Sequence, residues 1–176
     1  MSISLGVNQY GKAENRVVRI YRDTDRHSIR DLNVSTSLRG DFTAAHLEGD
    51  QADVLPTDTQ KNTSFAFAKK VGVESPEQYG IALGTHFLTA APKATGSQIR
   101  IEEYAWDRIQ VDGEGHDHSF VRRGTETRTA IITVDGRDDD QRVSVVSGLE
   151  DLIVLKSTGS EFKGFFKDEF TTLEEA

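Results

Sequence analysis

The 176-residue sequence contains no cysteine. A disulfide-stapled secreted domain is therefore excluded, and so is any zinc site built on thiolates. No stretch approaches the roughly 18–20 apolar residues that a membrane-crossing helix requires. The opening residues, MSISLGVNQYGKAENR, lack the basic segment followed by an apolar one that marks a signal peptide, so a cytoplasmic protein is expected. Positive charge is also scarce: 21 Lys and Arg stand against 29 Asp and Glu, a net charge of −8. A nucleic-acid surface usually shows a basic patch, so that class of partner is not expected. There is no G-x-x-x-x-G-K-[ST] loop, no G-x-S-x-G elbow and no H-E-x-x-H helix. Gly113-x-Gly115 does not continue as a dinucleotide fingerprint. What is present, 36% hydrophobic and 28% charged residues, suffices to bury a core.

The hydrophobic pattern gives strands first. Val17 to Arg22 is a β-branched and aromatic run, and Leu32 to Leu38 alternates with Leu32, Val34, Thr36 and Leu38 on one face. Period-two alternation of this kind predicts a half-buried strand, and the two runs are expected to form an antiparallel hairpin. Helical signals follow. Thr57 or Asp58 is expected to cap a helix running to Lys70. Ser75, Pro76 and Gln78 supply an N-cap, a proline at the first helical position and a capping-box partner for a second helix. Its predicted apolar stripe is Tyr79, Ala82, Leu83, His86, Phe87 and Ala90, and Pro92 ends it. Strands are predicted again over 99–111, 119–134 and 143–155, the first two joined by a turn at Asp112 to Gly115 and the last bent at Gly148. The closing TTLEEA reads as the start of a helix. Helices segregated from an antiparallel meander mean an α+β fold.

Few residues suggest chemistry by themselves. Thr57–Asp58 at a helix start is most often only a cap. Free N–H groups there can also bind an anion, with the threonine hydroxyl relaying protons. Lys12 near a strand start is normally solvated, although a desolvated lysine can serve as a base. His116 and His118, at i and i+2 on an extended segment, share one face, but no third ligand is obvious nearby and a metal site is not expected. Phe162, in a glycine-bearing tail, is ordinarily local packing; a ring presented at a pocket would stack on a flat heterocycle.

Four segments taken together resemble urate oxidase. They are Tyr10-Gly11-Lys12, Thr57-Asp58-Thr59-x-Lys61-Asn62-Thr63, Gly84-Thr85-His86-Phe87, and Val154-Leu155-Lys156-Ser157-Thr158-Gly159-Ser160-x-Phe162-x-Gly164-Phe165 followed by Asp168 and Thr171-Thr172-Leu173. His118-Ser119-Phe120 also fits. The resemblance implies a tunnelling fold, an antiparallel four-stranded sheet with two helices on one face, which the family carries twice per subunit. On that reading residues 1–115 form the first module and 116–176 open a second, incomplete one. It further implies a homotetramer that oxidises urate with O2 to 5-hydroxyisourate and H2O2, without a metal or organic cofactor, in the cytoplasm or in the peroxisome of a eukaryote. Residue by residue, Lys12 matches the family's catalytic lysine, and Thr57 the threonine that relays protons with it and touches substrate. Asp58 points its backbone N–H at the purine. Phe162 matches the aromatic that stacks on urate, and Leu173 an apolar pocket residue. His116 and His118 match no family site residue.

The sequence also departs from the pattern. Pro56 precedes Thr57 where a small residue is common, and Gln51 stands where asparagine is common. The family's urate-clamping arginine and glutamine, its asparagine near the oxygen site and its catalytic histidine would all fall beyond Ala176. A lone hairpin of a second module would leave apolar surface and strand edges open. The remainder is therefore expected as a second polypeptide docked in the same particle. Two other readings stand beside this one. The chain is a non-catalytic assembly or binding fragment, or it is a different tunnelling-fold enzyme acting on pterins or purines. Several enzymes of that last group need a zinc site, and no zinc ligand set is present.

Overall fold

The computed structural model describes residues 3–175. Its elements run β1 (Gln9–Tyr21), β2 (Ser28–Gly40), α1 (Thr43–Leu47), α2 (Thr57–Lys70), α3 (Pro76–Ala90), β3 (Ala94–Val111), β4 (Glu114–Asp135), a short 3-10 turn (Asp138–Asp140) and β5 (Arg142–Glu150). All five strands form one antiparallel sheet in chain order. The fold is α+β, as expected. Among the described residues no helix is long and apolar enough to cross a membrane.

β2 follows its alternation: Leu32, Val34, Thr36 and Leu38 are buried, and their neighbours Asn33, Ser35 and Ser37 are half-buried. Opposite them β3 contributes Ile99 and Ile101, and β4 contributes Ala130, Ile132 and Val134, all buried in one core with residues of α2 and α3. The first four strands exceed their predicted lengths because pairing extends into polar stretches. β1 starts at Gln9 and pairs through Lys12 and, past a bulge, from Asn15 onward. β3 and β4 meet at a two-residue turn, Asp112–Gly113, where both residues have positive φ (53° and 84°). That is the geometry favoured by a two-residue hairpin, and it leaves Gly115 inside β4 rather than in the turn. The expected boundary at residue 115 thus falls at a hairpin tip, and β4 shares its core with β1–β3.

α3 begins as its sequence predicts. Ser75 is the N-cap, its hydroxyl accepting the Gln78 N–H at 3.2 Å, and Pro76 occupies the first turn. Its buried face differs from the predicted stripe. Tyr79, Gly80, Leu83, Gly84, Phe87 and Leu88 are buried, whereas Ala82 and His86 are only half-buried and Ala90 is exposed. Two glycines cause the rotation. A Cβ on Gly80 would lie 2.5 Å from Ile132 Cδ1, and one on Gly84 would lie 2.9 Å from Ser97 Oγ. The helix axis therefore sits closer to β3 and β4 than any larger residue permits.

α2 also differs in its cap. Neither Thr57 nor Asp58 caps it; the N-cap is Pro56, whose carbonyl accepts the Gln60 N–H at 3.0 Å. Proline has no side-chain acceptor, so no side chain satisfies the first N–H groups of the helix. The buried residues of α2 are Gln60, Ser64 and Ala68, two of them polar. The Tyr79 hydroxyl reaches across to the Ser64 carbonyl at 2.7 Å and joins the two helices.

The other face of the sheet is polar. Asp31, only 2% exposed, takes a bidentate pair from Arg16 and a 2.8 Å bond from the Trp106 indole. Beside it the Tyr104 ring lies under the guanidiniums of Arg16 and Arg122, and the Tyr104 hydroxyl bonds Glu102 at 3.0 Å. β5 stops at Glu150 rather than Leu155, because Asp151 takes a positive φ (56°) that leaves the strand conformation. Gly148, the predicted bend, pairs with Thr129 within the strand. Thr171 to Glu175 forms no helix.

Candidate active site

β1, which carries Lys12, and the start of α2, which carries Thr57, are tied to each other. β1 places Tyr10 and Lys12 on one face by its two-residue period. The Tyr10 ring packs edge-on against Phe42, with centroids 4.7 Å apart. Its hydroxyl donates to the Leu55 carbonyl at 3.0 Å and accepts the Leu55 N–H at 2.8 Å. Burial outweighs the bond to Leu55 and pushes the phenol above its ordinary value. Leu55 is two residues before Thr57, so this clamp fixes the entry to α2. Gly11 is required by a close approach: a Cβ there would fall 1.8 Å from the Thr36 carbonyl oxygen. Immediately after Lys12 the β1–β2 register shifts, with Glu14 at φ 57°, so Lys12 is the last residue of its stretch of ladder before the bulge.

At the helix start the N–H groups of Thr57, Asp58 and Thr59 have no side-chain cap. Free N–H groups and the helix dipole make such a terminus receptive to an anion. The Asp58 carboxylate does not fold back to fill it. It turns along the helix, contacting the Lys61 ammonium and accepting the Asn62 amide at 3.0 Å. Hydrogen bonding from Lys61 is the largest cause that holds this carboxyl below its ordinary value, followed by the Lys61 charge, with Asn62 and the charge of Lys12 contributing less. Lys12 is thus within electrostatic reach of the α2 terminus. Lys12, Thr57 and Asp58 are all exposed in this chain.

The two remaining candidates are not joined to this pair. Phe162 and Leu173 lie in the segment after β5, the sheet edge opposite β1, and are 69% and 51% exposed. The Phe162 ring meets Phe165 edge-on at 6.3 Å. Among the described residues, no hydrogen bond or ring contact links either of them to Lys12 or Thr57. His116 and His118 sit at the β3–β4 hairpin, where His118 Nε2 lies 2.9 Å from the Asp25 carbonyl and its ring lies 4.5 Å from that of His27. No group of three or more metal-ligating side chains occurs among the described residues.

One residue behind the site carried no functional signal in the sequence. Gln60 is fully buried, accepting from the Thr36 hydroxyl at 2.8 Å and donating to the Leu55 carbonyl at 3.3 Å. The available clue was Thr36, a polar residue in the inward phase of β2.

The uricase family model matches residues 8–133 of this chain. The chain belongs to the uricase family. It is 49% identical over 173 residues to the uricase of Arthrobacter globiformis, covering 98% of this chain and 54% of that relative. It is 40% identical over 169 residues to the uricase of Schizosaccharomyces pombe, covering 94% of this chain and 56% of that relative. The chain thus spans about half the length of the curated uricases it matches. The crystal structure of the A. globiformis uricase superposes with a TM-score of 0.80 at 48% identity, over 99% of this chain and 58% of that one. A uricase structure from Bacillus fastidious gives 0.77 at 28% identity, over 96% and 60%. The sheet with its two long helices on one face is therefore the tunnelling fold of the uricases, with β4–β5 as a further hairpin.

Proposed function

We propose that this chain is the part of a urate oxidase that carries its base and proton relay. Urate, O2 and water give 5-hydroxyisourate and H2O2; two electrons leave the purine and reduce O2, and water supplies the new hydroxyl. Deprotonated urate is electron-rich enough to reduce O2 itself, so the protein has to remove a proton, hold the anion flat and exclude competing solvent. On this reading Lys12 is the base, Thr57 relays the proton, and the free N–H groups at the start of α2 receive the anionic edge of the purine. Phe162 stacks on the ring and Leu173 lines the pocket once their segment is drawn over the site. The observation that carries the reading is the pairing of an uncapped helix N-terminus with a lysine held on the adjacent strand.

Lys12 is exposed here, and a lysine acts as a base only when it is desolvated. The cover, together with the arginine, glutamine, asparagine and histidine of the family's site, comes on this reading from residues outside these 176, in a homotetramer-type assembly. No cofactor is required. The test follows urate loss and peroxide formation with protein purified together with any companion polypeptide. Peroxide equal to urate consumed supports the proposal, and Lys12→Met should then lose most of the turnover. Urate binding without turnover in the complete particle would instead favour a non-catalytic binding fragment.

A further inference from the structure

The buried side chain of Gln60 has no evident packing purpose. An amide placed out of contact with water has to find partners for both of its ends, and an apolar side chain of the same size would avoid that demand. Both ends are committed, and each to a different half of the candidate site. The Gln60 carbonyl oxygen accepts the Thr36 hydroxyl at 2.8 Å. That hydroxyl also lies 3.4 Å from the backbone carbonyl of Lys12, and Thr36 is the ladder partner of Lys12 in the β1–β2 pair. The Gln60 amide donates at 3.3 Å to the carbonyl of Leu55, the residue before the Pro56 cap. The chain of contacts therefore runs from the Lys12 backbone through Thr36 and Gln60 to the entry of α2. It works beside the Tyr10–Leu55 clamp, at a place where the β1 ladder breaks directly after Lys12 and no side chain caps α2.

We propose that Thr36 and Gln60 form a buried polar strut that sets the position of Lys12 relative to Thr57, making both of them positioning residues for proton transfer. The inference rests on the assignment of Lys12 and Thr57 above. It specifies what holds them in register, a task to which hydrophobic packing between β2 and α2 contributes no directional preference. Misplacing two reacting groups by about 1 Å can cost on the order of 100-fold in rate, so a strut of two hydrogen bonds is enough to matter.

The test replaces both ends at once, so that no buried polar group is orphaned. Thr36→Val with Gln60→Met keeps side-chain volume and removes the strut. It is made in the protein purified with any companion polypeptide, beside Thr36→Ser, which keeps the hydroxyl. The double variant should unfold at or above the parental temperature, since buried polar pairs are often replaced by apolar ones without loss of stability. Its kcat on urate should nevertheless fall by roughly 10-fold or more, with KM changed far less, and Thr36→Ser should stay near the parent. A double variant of parental stability that keeps parental kcat would overturn the proposal. Amide hydrogen exchange supplies a readout that needs no turnover: the hydrogen-bonded N–H groups of the first turn, at positions 60 and 61, should lose protection in the double variant relative to the rest of α2, after correction for the side-chain effect on intrinsic exchange. Unchanged exchange there refutes the strut even if the parent proves inactive, whereas an inactive parent with faster exchange in the variant refutes the enzyme assignment alone.

Discussion

Replacing Gly80 by alanine sets two effects of opposite sign against each other at one site. In the interior of a helix, alanine is favoured over glycine by about 0.5–1 kcal/mol, because glycine loses more backbone freedom on folding. At Gly80 the new methyl would stand 2.5 Å from Ile132 Cδ1, 2.9 Å from Ile132 Cγ1 and 3.2 Å from Ile101 Cδ1. A terminal methyl can often swing aside, but Ile132 is fully buried and Ile101 occupies the adjacent space. Overpacking of a well-filled core costs about 1–3 kcal/mol. The net result should be a loss of about 1–2 kcal/mol, which for a chain of this size corresponds to a fall of roughly 2–8 °C in Tm. Ile132→Val separates the two effects, since it removes the nearest clashing atom. With Gly80 retained it should cost about 0.5–1.5 kcal/mol, whereas combined with Gly80→Ala it should be neutral or stabilising. Thermal unfolding of the parent, the two single variants and the double variant gives a coupling energy of about 1 kcal/mol or more if the clash is real. A Gly80→Ala protein more stable than the parent, or strictly additive effects, would refute the reasoning that glycine lets α3 approach the sheet.

Arg137 stands where α3 turns into β3, its Nη2 lying 2.8, 2.9 and 2.7 Å from the carbonyls of Ala91, Pro92 and Ala94. Arg137→Ala should cost about 2 kcal/mol, read as a lower urea midpoint with unchanged slope. Tyr10→Phe removes the hydroxyl that satisfies the Leu55 N–H. It should cost about 1–3 kcal/mol and weaken urate turnover as well, and an unchanged rate would separate the Tyr10 clamp from function. Burial, followed by the charge of Lys70, holds the His86 imidazole below its ordinary value of 6.5. The unfolded chain therefore binds that proton first, and stability falls as the pH drops below 6.5 toward the folded-state value. His86→Phe lacks this component, so the stability of the parent relative to the variant should decline between pH 7 and about pH 5. A constant difference would contradict that burial effect.

Strands were legible where one face is apolar and the other polar. Leu32 to Leu38 declared its inward phase by alternation alone, and Thr36 stayed in that phase despite its hydroxyl. Ser75 and Pro76 announced the start of α3 because a cap and a first-turn proline are local chemistry. The buried face of α3 was not legible, since Gly80 and Gly84 register nothing on a hydrophobic stripe while their lack of a Cβ decides which side touches the sheet. The end of β5 was equally hidden. Val154 and Leu155 extend an apolar run in sequence, yet the positive φ at Asp151 has already turned the chain away. For the site, composition and spacing offered only a solvated lysine and a helix cap, and the resemblance to the uricases drew them together. Gln60 was invisible because a glutamine on a helix ordinarily faces water, and only the fold shows it buried between two carbonyl-bearing segments.

The chain order of the sheet has a consequence for how the protein is made. β1 and β2 are consecutive and can pair as soon as both have left the ribosome, but the next partner of β2 is β3, which begins at Ala94 while β2 ends at Gly40. At a synthesis rate of about 5–20 residues per second, the intervening stretch of some fifty residues takes roughly 3–10 s to emerge. For that interval the nascent β1–β2 ribbon presents an unpaired edge together with the inward row of Leu32, Val34 and Leu38. The two long helices appear within the same window, and their arrival determines how long a chaperone has to shield that surface.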